Sequence, residues 1–476
     1  MSPSSDIPLT ASWVAAAMRG SIESGDRECE LTGVSIDTRT LKAGELFVAI
    51  RGDRFDGADF AGPAIDAGAG GLVVPRGWRA AAGRELRAPG ARPPVVIEVD
   101  DTTAALQALA HAIRHESGTK VVAITGSAGK TTTKEVTFEL LSSRYRVIRN
   151  RGNFNNHIGL PLSLIGLRQR PEIAVVELGM NHVGEIAALV RIAEPDVRVW
   201  TTVGEAHLEF FASVDAIAEA KAEIFEGASR STRLIANADD RRIVVRLPRF
   251  GGRVVTFGIE RDADVRATEV VDRGIDGTSA HVTTPKGSTD LTTSLVGRAN
   301  LANVLAGIAV ALEFDVPLPA IVDRAARLVP APHRGEVIRL SSGVTVVDDS
   351  YNANPPATLH AIEWLATAKA SRRIAVLGEM LELGDRSSRL HEEVGRAAAR
   401  VGIDRLVTVG GAPAAAMGEA SVAAGLARAH VRHCSTSDEA AAVAVALVRD
   451  GDVVLVKGSR GIRTERVVER LKAERA

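Results

Sequence analysis

Residues 121–134 read Val-Val-Ala-Ile-Thr-Gly-Ser-Ala-Gly-Lys-Thr-Thr-Thr-Lys, and no other stretch of the chain restricts its fold and chemistry as much. An apolar, β-rich run stops at a glycine-bearing turn. A lysine and three threonines follow where a helix should start. A strand–turn–helix corner of this kind binds triphosphates, because backbone N–H groups and the positive end of the helix face the anion. In this reading Lys130 neutralises the β- and γ-phosphates and the Thr131 hydroxyl holds Mg²⁺. Gly126, Ser127, Gly129, Lys130, Thr131 and Thr132 are the candidate nucleotide-binding residues. The spacing is shorter than the usual Gly-x₄-Gly-Lys-Thr, since Ile124 occupies the place of its first glycine and leaves Gly126-x-x-Gly129-Lys130-Thr131.

A chain of 476 residues exceeds what one core organises, so several domains are expected. Apolar residues make up 45% and aromatics only 4%, which suits an Ala/Val/Leu-rich α/β protein. The net charge of −1 offers no basic field for nucleic acid, and no Lys/Arg cluster is interleaved with aromatics. Cys29 and Cys434 lie far apart without metal-type spacing, which fits a reducing cytoplasm rather than a disulfide framework. The apolar stretch Trp13–Met18 has no basic residue before it. It reads as a surface helix capped near Thr10, not as a signal peptide. No run approaches a membrane span, so no membrane insertion is expected.

The pattern divides into three blocks, with domains expected at 1–115, 116–330 and 331–476. The first carries short strands at Glu45–Ile50, Gly71–Pro75 and Pro94–Val99, with an exposed loop over Arg79–Pro93. The second alternates strands Lys120–Ile124, Ile173–Glu177, Val197–Val203 and Arg233–Ala236 with helical patterns. That alternation predicts a largely parallel sheet binding ligands at its strand C-termini. Val329-Pro-Ala-Pro-His-Arg-Gly335 reads as a hinge. Beyond it, strands Val344–Val347, Arg373–Leu377, Arg405–Val409 and Val453–Val456 outline a doubly wound domain without a dinucleotide fingerprint. The fold class is therefore α/β in three domains, with a central P-loop-type ATPase and a C-terminal Rossmann-like domain.

Other groupings carry chemistry. Glu177 ends an apolar strand, where a carboxylate suits a second Mg²⁺, against the plain alternative of a solvated acid. Gly204-Glu-Ala-His207 follows another strand. Lys221 interrupts the stripe Val214, Ile217, Ile224, Phe225, so it must snorkel, pair, or react. A lysine whose pKa is depressed enough takes up CO₂ as a carbamate that ligates Mg²⁺. Asn150-Arg-Gly-Asn-Phe-Asn-Asn-His157 holds more amides than a turn needs, which suggests neutral readout of a substrate. Asn300 and Asn303 share one helix face and suit an adenine edge, with helix capping by Asn300 as the plain alternative. Arg334 in the hinge and an acid of Asp348-Asp-Ser-Tyr-Asn-Ala-Asn-Pro355 complete a nucleotide site on domain closure. Lys457-Gly-Ser-Arg460 is an anion-binding turn candidate.

Taken in order, these stretches resemble the Mur ligase family over nearly the whole chain. The resemblance rests on Ser35–Arg39 with Gly44–Ala49, Thr125–Lys134, Gly152–Pro161, Glu177–Asn181, Ala206–Glu209, Lys221–Ile224, Asp349–Pro355, Leu377–Gly384 and Lys457–Arg460. It implies ATP-dependent amide formation; for the chain itself a cytoplasmic monomer is expected. The implied substrates are UDP-MurNAc-tripeptide and D-alanyl-D-alanine, joined through an acyl phosphate and a tetrahedral intermediate. It further implies Lys130 and Thr131 at the triphosphate, and Glu177, His207 and carbamylated Lys221 with Thr131 around two Mg²⁺. Lys130, His207 and Lys221 become the catalytic set. Asn300 and Asn303 are placed at adenine, and Arg334 and Asp349 at phosphates and ribose. Thr38 and Arg39 go near uridine, and Asn155, Asn156 and His157 near the muramoyl-peptide. Asn352, Asn354, Lys457 and Arg460 join the substrate residues. The chain departs from the family's habits at Ala299, where histidine is common, and at Ala58 after the Phe-Asp-Gly turn. The competing readings are another amino-acid-adding Mur ligase, a folylpolyglutamate synthase-like ligase, and a non-catalytic ATP-gated binding protein.

Overall fold

The computed structural model describes residues 6–52, 54–78, 93–150, 152–205 and 209–475. The expected loop at Arg79–Pro93, save its last residue, and His207 lie outside them. Two compact units interleave along the chain: Met1–Ile124 with Tyr145–Arg198 and Glu223–Thr232, and Thr125–Arg144 with Val199–Ala222 and Arg233–Ala476.

In the first unit, strands Val34–Ser35, Leu46–Val48, Gly71–Pro75 and Val95–Val99 run parallel as neighbours in that order. Ser21–Ser24 adds an antiparallel edge to the last of them. The short helix Ala11–Ala17 begins where the sequence signals it, the Thr10 hydroxyl capping its first turn by accepting the Trp13 N–H at 3.3 Å. Helix Thr102–Ser117 is capped by Asp101, buries Leu106, Leu109, Ala110 and Ile113, and stops at Gly118 with φ +67°. Strand Ile173–Glu177 pairs in parallel with Val147–Arg149 on one side and with Lys120–Ile124 on the other. All five of its residues are buried, so the run is apolar throughout instead of alternating.

The second unit contains the helix Lys130–Leu141 and a second helix, Arg298–Glu313, packed against it. Gly307 permits their approach, since a Cβ there would lie 2.6 Å from Val136 Cγ1. Arg298–Glu313 is apolar nearly all round and buries Leu301, Val304, Leu305, Ile308 and Val310, as a core helix must. Strands Arg233–Asn237, Arg253–Gly258 and Val265–Asp272 run parallel, and Thr278–Thr284 and Gly287–Thr293 continue as an antiparallel meander. Sequence patterning missed the meander. Its strands are rich in Thr, Ser and charge, and turn-forming glycines break them up.

A six-stranded sheet completes this unit in the order Glu336–Arg339, Thr345–Asp349, Val453–Lys457, Arg373–Gly378, Arg405–Val409, Val431–Cys434. Only the first pair is antiparallel. The strand that comes last in the chain sits third in the row, beside Thr345–Asp349 and parallel to it, so the C-terminal ends of Thr345–Asp349 and Val453–Lys457 lie side by side. Crevices at such switches of strand order are where open α/β sheets bind ligands.

Candidate active site

The phosphate loop leaves strand Lys120–Thr125 at Gly126 and enters helix Lys130–Leu141 at Gly129. Both glycines are dictated by neighbours. A Cβ on Gly126 would meet Thr201 Oγ1 at 1.9 Å, and one on Gly129, at φ +82°, would meet Asn303 Oδ1 at 2.3 Å. Lys130 folds back across the loop and donates to the Gly126 carbonyl at 2.7 Å. The expectation that the turn's own N–H groups face the anion is corrected at two positions. Ser127 N–H donates to Thr202 O at 2.8 Å, and Ala128 N–H to Thr202 Oγ1 at 3.1 Å. Thr201 Oγ1 in turn donates to Ala128 O at 2.6 Å. Thr202 supplies the acceptors for both N–H groups, so these donors stiffen the loop. The first turn of the helix has no side-chain cap from Gly129, and the hydroxyls of Thr131 and Thr132 stand half-buried there, as an anion-binding helix start requires.

Lys221 lies on helix Val214–Ala222 and is 1% exposed. The sequence alternatives of snorkelling and pairing do not apply: no ion pair or hydrogen bond of its amine occurs among the described residues. Burial, together with the positive charge of Lys130, pushes its pKa well below the ordinary lysine value. Arg246 pairs with Asp215 at 2.9 Å and Glu219 at 3.0 Å on the same helix, which fixes the helix and the lysine's aim.

Asn303 acts as a brace. Its Oδ1 accepts from Thr133 Oγ1 at 3.2 Å, and its Nδ2 donates to Asn300 Oδ1 at 3.3 Å, tying the two helices together beneath Gly129. Asn300 is not the cap of its helix. That place belongs to Gly297, and Asn300 Nδ2 reaches back to Val296 O at 2.9 Å.

At the adjoining strand ends of the six-stranded sheet, Lys457 Nζ pairs with Asp349 Oδ2 at 2.6 Å and donates to Asn352 O at 3.1 Å. Lys457 is 4% exposed, so its charge is already matched within the fold. Asn354 caps helix Pro355–Thr367 by accepting the Ala357 N–H at 3.0 Å, and Asn352 Oδ1 accepts the Ala353 N–H at 2.9 Å. Arg334 lies 4.2 Å from the centre of the Tyr351 ring and Arg460 5.8 Å from it. Sequence reasoning passed over Tyr351, although it sits inside the quoted Asp-Ser-Tyr-Asn motif. An aromatic between two recognised polar residues was the available signal. Beside it, Asp348 is held by His333 at 2.7 Å and by the Ser350 hydroxyl at 2.5 Å.

In the first unit, Asn150 links the asparagine-rich loop to the acidic strand end. Its Oδ1 accepts the Glu177 N–H at 3.1 Å and its Nδ2 donates to Phe154 O at 3.1 Å. Asn156 Oδ1 accepts from Ile158 and Gly159 N–H and starts the next helix. Asn155 packs on Gly179, whose Cβ would lie 2.9 Å from the amide oxygen. Asn155 and Glu177 thus border one turn, while His157 is exposed. Asn150, to which the sequence reading assigned no role of its own, is the deeply buried member of the loop. Arg39 clamps Asp37 through Nε and Nη2 and stays exposed, with Thr38 between them half-buried. The Arg39 side chain and backbone N–H hold the Asp37 carboxyl down at about 2.

A helix N-terminus without a side-chain cap, a lysine folded over a tight glycine loop and a buried lysine whose pKa is pushed down mark a nucleotide-using α/β enzyme of the phosphate-loop kind. The chain matches the Mur ligase family catalytic domain over residues 30–114, the Mur ligase middle domain over 124–311, and the Mur ligase glutamate ligase domain over 333–460. It is 36% identical over 474 residues to the UDP-N-acetylmuramoyl-tripeptide–D-alanyl-D-alanine ligase of Escherichia coli K12, covering 98% of both chains. The structure is similar to a crystal structure of MurF from Acinetobacter baumannii, with a TM-score of 0.87, 30% identity, and coverage of 99% and 100%. It also resembles MurF ligase from Thermotoga maritima in complex with ADP, with a TM-score of 0.79, 30% identity, and coverage of 93% and 97%. The chain belongs to the Mur ligase family, whose members join an acid to an amine at the expense of ATP. No helix among the described residues is long and apolar enough to cross a membrane.

Proposed function

We propose that this chain adds D-alanyl-D-alanine to UDP-N-acetylmuramoyl-tripeptide, a step of cytoplasmic peptidoglycan precursor synthesis. The observation that carries the reading is full-length likeness to relatives of that activity, end to end in both chains. Residues 1–115 would bind the UDP end of the acceptor through Thr38 and Arg39, 116–330 would bind ATP, and 331–476 would bind the dipeptide side.

The tripeptide's terminal carboxylate attacks the γ-phosphorus of ATP. ADP leaves and an acyl phosphate forms. The dipeptide amine then attacks the acyl carbon, and inorganic phosphate departs as the nitrogen loses a proton. Such a sequence needs charge neutralisation and positioning more than a covalent nucleophile. Lys130 would leave the Gly126 carbonyl for the β- and γ-phosphates, with the first-turn N–H groups completing the cradle. Arg334, stacked on Tyr351, would follow the phosphates, and Asp349 the ribose. Asn300 would meet adenine while Asn303 keeps the loop in place. Asn155 and His157 would face the muramoyl-peptide, and Asn352, Asn354 and Arg460 the incoming dipeptide.

Mg²⁺ suits the donor set, all oxygens or nitrogens of hard or borderline character: Thr131, Glu177, His207 and a derivatised Lys221 would hold it. When bound it supplies charge neutralisation of the phosphates. Burial favours the neutral form of the Lys221 amine, the form that adds to CO₂ to give a carbamate and one released proton. The carbamate would place a negative charge against Lys130.

The test is phosphate release from ATP with UDP-MurNAc-tripeptide, with and without D-alanyl-D-alanine, with product mass followed. Release that needs both, with a product heavier by one dipeptide less water, is the expected outcome. ATP turnover indifferent to both would overturn the assignment of substrates and leave the nucleotide site standing.

A further inference from the structure

Two histidines and a glutamate converge on the surface of the first unit, apart from every residue assigned above. His111 and His115 stand one helical turn apart on Thr102–Ser117, on the face opposite buried Leu109 and Ile113. Glu194 ends helix Glu185–Ala193 in a left-handed conformation with φ +38°. His111 Nε2 lies 3.0 Å from Glu194 Oε1, and His115 Nε2 lies 3.0 Å from Glu194 Oε2. The ligand atoms of the three all fall within 4.8 Å of one another, and the two imidazoles meet edge to face at 4.5 Å.

We propose that His111, His115 and Glu194 form a binding site for a divalent transition-metal cation of the zinc type. Histidines at i and i+4 aim two imidazole nitrogens at one point, as zinc-binding helices do. Bonds of about 2.1 Å at the tetrahedral angle put ligand atoms about 3.4 Å apart. The two His–Glu separations therefore open by a few tenths of an ångström on loading, which rotation of exposed side chains supplies. Three protein ligands leave a fourth position to water.

The backbone under the site is already fixed. Glu194 N–H donates to Val190 O, Arg114 Nε donates to Ala193 O at 2.8 Å, and Arg114 Nη2 donates to Glu194 O at 2.9 Å. The Arg114 guanidinium, which holds the backbone under the site, is paired with Asp196 at 2.9 Å. Asp196 also takes Lys120, and Glu116 adds an exposed carboxylate on the same helix.

Chain direction assigns the site its role. His115 precedes strand Lys120–Thr125, whose far end launches the phosphate loop, so a metal here sits at the opposite end of that strand from the nucleotide chemistry. It joins the end of helix Thr102–Ser117 to the end of helix Glu185–Ala193, a staple rather than a catalytic group.

The experiment uses untagged, chelator-stripped full-length protein in excess Mg²⁺, titrated with Zn²⁺ against a chromophoric chelator. The wild type is expected to take up one more equivalent than His115→Ala or Glu194→Gln. His281→Ala, which alters an exposed His–Asp pair elsewhere, should bind as the wild type does. Co²⁺ added to the wild type should give the intense visible absorption of a four-coordinate site, and His115→Ala should lose it. Turnover in Mg²⁺ should be the same in all variants. Equal Zn²⁺ uptake by the wild type and both ligand variants, or a Co²⁺ spectrum of six-coordinate solvent type, would overturn the site and leave a His–Glu ion pair.

Discussion

Lys221 shows how one side chain links burial to chemistry. Its neighbours on the helix are apolar, and nothing among the described residues pairs with its amine. Desolvation favours the neutral form, which is the nucleophilic one. Lys221→Ala is expected to lower ligase turnover by about 10²–10³-fold, the range for removing one stabilising group from such a site. Added formate or acetate should restore part of it by supplying the missing carboxylate, and steady-state phosphate release reads both effects. Normal turnover in the variant would remove the carbamate from the mechanism. The lysine's oddity was legible in the sequence as a break in an apolar stripe. Whether it snorkelled or stayed buried was not, because that depends on neighbours distant in the chain.

The phosphate loop behaves as one element with Thr201, Thr202 and Asn303 rather than as a turn by itself. Gly129→Ala would force φ +82° on an L side chain and drive its Cβ into Asn303. We expect a loss of about 1–3 kcal/mol in stability from the strain and overpacking combined. Asn303→Ala removes the obstacle but also the brace to Thr133. The double variant should therefore be more stable than the two single losses predict when added, as denaturant unfolding would measure. Strictly additive losses would mean that the two residues do not touch. Strand-by-strand, the buried parallel runs such as Ile173–Glu177 and Arg405–Val409 appear where the apolar pattern places them. The edge strands Glu336–Arg339 and Val431–Cys434 escaped notice because each is four residues long and mixes charge with apolar residues. An edge strand pairs on one side only, so composition marks it weakly.

For the molecule as a whole, two buried titratable groups set limits on stability from opposite directions of pH. His391 is fully buried, accepts the Met380 N–H through Nε2 at 2.8 Å and approaches Ser387 O through Nδ1 at 2.7 Å. Burial lowers its pKa below 6.5, so its contribution is present above 6.5 and is lost as pH falls through the depressed folded value. Cys434 is raised from 9.0 to about 11 by burial and the charge of Glu439, so its contribution is complete below 9 and declines as pH rises from 9 towards 11. Urea midpoints measured across pH should thus fall off at both ends, and His391→Asn should flatten the acid limb. An unchanged acid limb in that variant would assign the slope to other groups. Local order in the chain was enough to establish the α/β class, the phosphate corner and the family, since these depend on periodicity and on residues adjacent in sequence. It was also enough to mark Asn303, Asp349 and Lys457 as noteworthy. Their duties were decided by packing: Asn303 braces a helix, and Lys457 is neutralised by Asp349 across two strands joined 108 residues apart. The zinc-type cluster likewise exists only because helix ends 83 residues apart in the chain meet. Distance in space sets electrostatics and hydrogen bonding, and no local pattern encodes it.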